Sequence, residues 1–147
     1  MIEYTVKVHA NGSKHWYLEG KLHREDGPAV EYADGYKSWF LNDKLHREEG
    51  PALEHADGSK CWYLNDKRHR EDGPAIEYAN GYKSWFLNGK RHREDGPAIE
   101  YADGDKVWYL NGARMTEEGH KEAMNPSVEM TMEEICKALG KNVKVKK

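Results

Sequence analysis

The chain predicts an all-β repeat, an elongated antiparallel meander sheet of hairpins closed by a small helical C-terminal cap. Tryptophan stands at 16, 39, 62, 85 and 108, a spacing of 23 residues, and His-Arg-Glu begins seven residues after each of the first four. Each unit carries two turn dipeptides, such as Asp34-Gly35 and Asn42-Asp43, and the pattern breaks where Met115-Thr116-Glu117 replaces the next His-Arg-Glu. A fixed period of this length marks a stack in which each unit buries its apolar surface against its neighbours. Residues 1–115 are therefore read as hairpin repeats and 116–147 as a helical cap with a possible terminal strand.

The first turn series is Asn11-Gly12, Asp34-Gly35, Asp57-Gly58, Asn80-Gly81 and Asp103-Gly104; the second is Glu19-Gly20, Asn42-Asp43, Asn65-Asp66, Asn88-Gly89 and Asn111-Gly112. Asn-Gly and Asp-Gly suit two-residue type I′ turns, in which both central residues take positive φ. The six residues between them, 36–41 in the second unit, make a strand and are too short for a helix. A two-residue turn at Asp34-Gly35 sets Glu31 opposite Ser38 and Val30 opposite Trp39. One at Asn42-Asp43 sets Trp39 opposite His46 and Ser38 opposite Arg47. Cross-strand neighbours share a face, so the expected rows are Val30–Trp39–His46 and Glu31–Ser38–Arg47, the latter recurring as Glu54–Cys61–Arg70 and Glu77–Ser84–Arg93. A one-residue slip dissolves both.

After His-Arg, the Glu-Asp-Gly-Pro segment ends the strand, since Gly tolerates positive φ and Pro cannot donate to a ladder. At the amino end, Val6 and Val8 occupy the phase used elsewhere by Ala and Glu, which predicts a modified edge strand. At the other end, Thr116 before Glu117 and Glu118 predicts a helix start, closed by Pro126. Thr131 with Glu134 has capping-box spacing and Gly140 is a stop. Met132, Ile135, Cys136 and Leu139 form one apolar helix face between them. The alternating tail 143–146 predicts a further edge strand.

Hydrophobic residues make up 37% and charged residues 33%, lean for one central core, while 11% aromatics argue against disorder. The net charge of −3 provides no general attraction to duplex nucleic acid or an anionic membrane. Cys61 and Cys136 have neither disulfide nor metal-knuckle spacing, which fits a reducing compartment. The polar N-terminus and the lack of any long apolar run point to a cytoplasmic protein without a membrane span.

The 23-residue unit, with its Ala-Asp-Gly and Asn-Gly-Lys turns and the aromatic strand between them, resembles the MORN family over residues 4–112. It departs from the usual unit in having Lys-Ser-Trp-Phe-Leu and His-Arg-Glu-Asp-Gly-Pro where MORN repeats carry Tyr-x-Gly-x-Trp and Gly-x-Gly. It is thus similar to divergent variants in phage and bacterial genomes, some described as antitoxins. The resemblance implies a scaffold for protein contacts and carries over no catalytic residue.

His23, His46, His69 and His92 beside acids suggest a metal. Equivalent residues of successive units, however, lie about 10–14 Å apart at strand spacing, while zinc ligands sit about 2.0–2.2 Å from the ion. Packing against Trp is the expected role, with no metal or cofactor. The Glu–Ser–Arg rows look superficially hydrolytic, but Arg is no base, Ser gives way to Cys61 and Val107, and near-identical copies lack one distinctive site. No catalytic residue is expected; His120 beside Glu117 and Glu118 is the one non-repeated polar cluster. The expectation is a non-catalytic, inhibitor-like module that occludes a partner protein with one sheet face. Trp39, Trp62, Trp85, Trp108, Tyr36 and Tyr82 would be its anchors, with Arg47, Arg70 and Arg93 at the rim. The alternative is a small anion, such as a nucleotide, held between Arg-bearing loops. Unpaired sheet ends leave self-association open.

Overall fold

A computed structural model describes residues 1–126 and 129–140. The predicted 143–146 strand lies outside the described residues. The chain forms one long antiparallel meander sheet of twelve strands, from the edge strand Thr5–Val8 to Ala113–Met115, followed by helices α1 (Glu117–Met124) and α2 (Met132–Leu139). Each interior unit also contributes a two-stranded ribbon beside the sheet: Phe40–Leu41 with Lys44–Leu45, Tyr63–Leu64 with Lys67–Arg68, and Phe86–Leu87 with Lys90–Arg91.

The six-residue strand of the sequence reading is thus divided in the interior units. Trp39 gives its N–H to Ala52 O (2.8 Å) and its carbonyl to His46 N (3.0 Å), so it bonds to one neighbour on the sheet side and another on the ribbon side. Lys37–Ser38 stays in the sheet and Phe40–Leu41 turns into the ribbon. In the first unit Lys14–Leu18 remains continuous because the edge strand runs beside it, Thr5 opposite Tyr17. In the last, Lys106–Leu110 is held by Ala113–Met115, Trp108 opposite Met115.

The two turns differ, and one corrects the expected register. At Asn42-Asp43 both residues take positive φ (50° and 63°), and Leu41 pairs with Lys44 as a two-residue turn requires. The Asp34-Gly35 hairpin instead has a three-residue loop, with Tyr32 N donating to Tyr36 O (2.8 Å) and Gly35 alone at positive φ (98°). Asp34 Oδ1 accepts Tyr36 N (3.0 Å), which fixes the loop. The extra residue slips the register by one, so Val30 faces Ser38 and Glu31 faces Lys37. The expected rows Glu31–Ser38–Arg47, Glu54–Cys61–Arg70 and Glu77–Ser84–Arg93 do not form, and Val30 does not face Trp39. His46 does face Trp39 as expected.

The true rows explain the composition. One sheet face alternates Lys14–Glu31–Lys37–Glu54–Lys60–Glu77–Lys83–Glu100–Lys106 across successive strands. Opposite charges as cross-strand neighbours favour this register. The other face runs Val30–Ser38–Leu53–Cys61–Ile76–Ser84–Ile99–Val107, large beside small. Val30, Ser38, Cys61, Ile76, Ser84 and Ile99 are buried, as are Ala29, Ala52, Ala75 and Ala98. Burial of the aliphatic members stabilises by roughly 25 cal/mol per Å² of apolar surface, and the small residues leave room for rings from the ribbons. Phe86 closes over Cys61, Ala75 and Ile76 in this way.

The carboxyl end is finished by α1, which packs against Lys106–Leu110. Thr116 Oγ1 accepts Gly119 N (3.0 Å) as N-cap, and buried His120 places Nε2 2.7 Å from Arg93 O. Pro126 lies past the helix end, whose cap is Asn125. In α2 the Thr131–Glu134 capping box forms and Gly140 adopts the left-handed cap (φ 60°). None of its residues is buried. Among the described residues no helix is long and apolar enough to cross a membrane.

Candidate functional site

The most repeated side chains are used to build the stack. Arg70 lies over the Trp62 ring (3.9 Å) and donates to Pro74 O (3.1 Å) and Glu77 (2.9 Å) through NH1 and to Asp72 (2.9 Å) through Nε. Arg24 and Arg93 repeat this set, and Arg47 repeats it with Trp39, Pro51 O and Glu54. The glycine of the loop answers to this guanidinium. Gly27, Gly73 and Gly96 lack positive φ, but a Cβ there would stand 2.9–3.0 Å from the arginine Cζ. Of the four, Gly50 alone takes positive φ (124°). The expected conformational role is therefore corrected at the other three to one of close approach.

The histidines join successive units. Nδ1 of His23, His46, His69 and His92 accepts the backbone N–H of Asn42, Asn65, Asn88 and Asn111, at 2.9–3.2 Å. This leaves the ring proton of the neutral form on Nε2, which faces Glu25, Glu48, Glu71 or Glu94 at 3.5–3.7 Å. Among the described residues no three metal-ligating side chains come together.

Clefts open between neighbouring loops, such as 46–50 and 69–72 with Trp62 beneath. Glu48, Glu71 and Asp72 are strongly exposed at their rims, while the guanidinium groups inside already serve carbonyl and carboxylate partners. Asp26, Asp72 and Asp95 are held below the ordinary aspartate range, chiefly by the hydrogen bond from Arg24, Arg70 or Arg93.

The sequence-predicted anchors divide accordingly. Trp39 is buried and Trp62, Trp85 and Trp108 are half-buried. Arg47, Arg70 and Arg93 are half-buried in the network just described. Tyr36 and Tyr82 are half-buried on the face of the aliphatic row. Tyr36 stacks on Tyr32 (5.3 Å between centroids) and meets His55 edge-on (5.0 Å); Tyr82 stacks on Tyr78 (5.4 Å) and meets Tyr101 edge-on (5.5 Å). Burial pushes the Tyr36 and Tyr78 phenols upward in pKa.

The sequence reading missed Tyr32, Tyr78 and Tyr101, which are the exposed tyrosines of this face at 47, 43 and 44%. Ser13, Tyr36, Ser59 and Tyr82 alternate with a doubled period of 46 residues, as do Tyr17, Phe40, Tyr63 and Phe86, which marks the units that carry tyrosine pairs but neither their exposure nor Tyr101. Ser13 and Ser59 use their hydroxyls to accept Ala33 N (3.2 Å) and Ala79 N (2.9 Å) of the next unit. The tyrosine pairs thus appear in every second unit. No protein-family model matches the chain, and no curated protein matches it.

Proposed function

We propose that the chain is a non-catalytic protein-interaction module that occludes a partner with the tyrosine-bearing face of its sheet. The exposed row Tyr32, Tyr78 and Tyr101, seated on half-buried Tyr36 and Tyr82, carries this reading. Rings held at the ends of hairpins bury large area on binding at little entropic cost, and their hydroxyls remain able to pair at a wet rim. The repeated hairpins are compatible with the MORN-like resemblance, which adds an inhibitor or immunity-type role in phage or bacterial conflict and a cytoplasmic setting.

Affinity capture from bacterial lysate with the full chain as bait tests the proposal. A stoichiometric protein should be recovered by the wild type and lost by Tyr32→Ser/Tyr78→Ser/Tyr101→Ser, at an unchanged melting temperature. Equal recovery by the triple variant would overturn the assignment of the face. A tightly held nucleotide with no protein would favour ligand sequestration.

A further inference from the structure

We infer that the C-terminal half of the tyrosine face is a groove for an acidic polyproline II segment of the partner, an inference that rests on the protein-binding reading above. Its wall on the ribbon side is a ladder of rings and guanidinium groups. Tyr63 faces Arg68, Phe86 faces Arg91 and Tyr109 faces Arg114 across their hairpins. Arg68 sits 5.4 Å from the Phe86 centroid, and Arg91 sits 5.4 and 5.6 Å from Phe86 and Tyr109. Leucine stands in these places at 22 and 45, so the charge is confined to the later units.

These arginines differ from the loop arginines in their partners. Among the described residues, Arg68, Arg91 and Arg114 form no ion pair; Arg68 Nε donates to the Tyr63 hydroxyl (3.1 Å), and the Arg91 Nε is buried without a hydrogen-bond acceptor. Beside this ladder, Tyr78, Tyr82 and Tyr101 line a cleft with Asn80, Ala102 and Asp103, and Tyr82 and Tyr63 pack on the cluster containing Phe86.

Spacing selects the ligand. Neighbouring ribbons are joined by Gly89 N to Arg68 O (2.9 Å) and Gly112 N to Arg91 O (2.8 Å), so each unit advances by two strand spacings. At about 4.8 Å per strand the arginines recur roughly every 9.6 Å. A polyproline II helix has three residues per turn at about 3.1 Å each, so a side chain returns to the same side about every 9.3 Å. An extended β-strand returns after about 6.8 Å and falls out of phase. Single-stranded nucleic acid needs free ring faces for its bases, and Arg68 and Arg91 already cover Phe86 and Tyr109. The matching segment therefore has Asp or Glu at every third position, with prolines against Tyr78, Tyr82 and Tyr101.

The test titrates the full chain with fluorescein-labelled (Pro-Pro-Glu)5, read by anisotropy. Saturable binding is expected, weakened at least tenfold in Arg68→Gln/Arg91→Gln of unchanged melting temperature, and weakened similarly when the same residues are reordered as a proline block followed by a glutamate block. Absence of binding, equal binding of the reordered peptide, or no loss in the double variant would overturn the groove. Tighter binding of a fifteen-nucleotide oligo-dT would assign it to nucleic acid. Failure of the peptides alongside tyrosine-dependent capture of a protein would refute the groove and leave the interaction module standing; loss of both would refute both.

Discussion

Arg70 binds Asp72, Pro74 and Glu77 while lying on Trp62, so its donors are directed into the protein rather than toward a partner. Arg70→Ala should cost about 1–3 kcal/mol in urea denaturation, because a charge-assisted set is lost and Glu77 is left without its cation. The acid limit follows from the same pairs. Asp26, Asp72 and Asp95 have depressed folded pKa values, so their contribution is present above the unfolded aspartate pKa and is lost as pH falls through the folded one. Melting temperatures measured from neutral pH to below about pH 3.9 should fall at the acid end, less steeply in Asp26→Asn/Asp72→Asn/Asp95→Asn. Burial raises the Cys61 thiol, so a thiol reagent at neutral pH should modify it slowly until denaturant is added. These roles were only half legible in the sequence. Arg and Glu were evident partners by type, but which Glu each Arg meets depended on a register that one loop residue decides.

Gly81 and Asn88 show where elements could and could not be read. An Asp-Gly or Asn-Gly pair serves equally in a two-residue type I′ turn and in a three-residue loop ending in positive φ, so the second turn was legible and the first was not. Gly81 takes φ of 94°, and Gly81→Ala should destabilise by about 1 kcal/mol or more through the left-handed conformation alone. The Asn88 amide depends on Nδ1 of His69. His69→Ala should cost about 1–3 kcal/mol by leaving that N–H without its acceptor, read as a lower urea midpoint. Periodicity revealed that the histidines were structural; the particular bond, to the turn of the next unit, needed the neighbouring unit in place. The helix starts at Thr116 and Thr131 were legible from capping residues because those interactions are local.

At the scale of the molecule, the 23-residue period revealed a meander with a helical end, since stacking is a nearest-neighbour rule. Exposure of Tyr32, Tyr78 and Tyr101 was not legible, because a tyrosine at the end of a hairpin strand is covered or uncovered by the residue one unit away. Over the first four units the alternation of serine and tyrosine makes two units the translation of the stack. Deleting 47–92 should therefore give a cooperatively folding, shorter protein, while deleting 47–69 should fold with a lower melting temperature by setting mismatched units together. The central claim is that the repeated Trp, Arg and His build the stack and that the tyrosine face meets the partner. Hydrogen-exchange mass spectrometry of the chain with and without its captured partner tests this most directly. Slowed exchange is predicted at 32–36, 78–82 and 99–105, with little change at 24–28, 47–51, 70–74 and 93–97; protection confined to those loops would contradict the account.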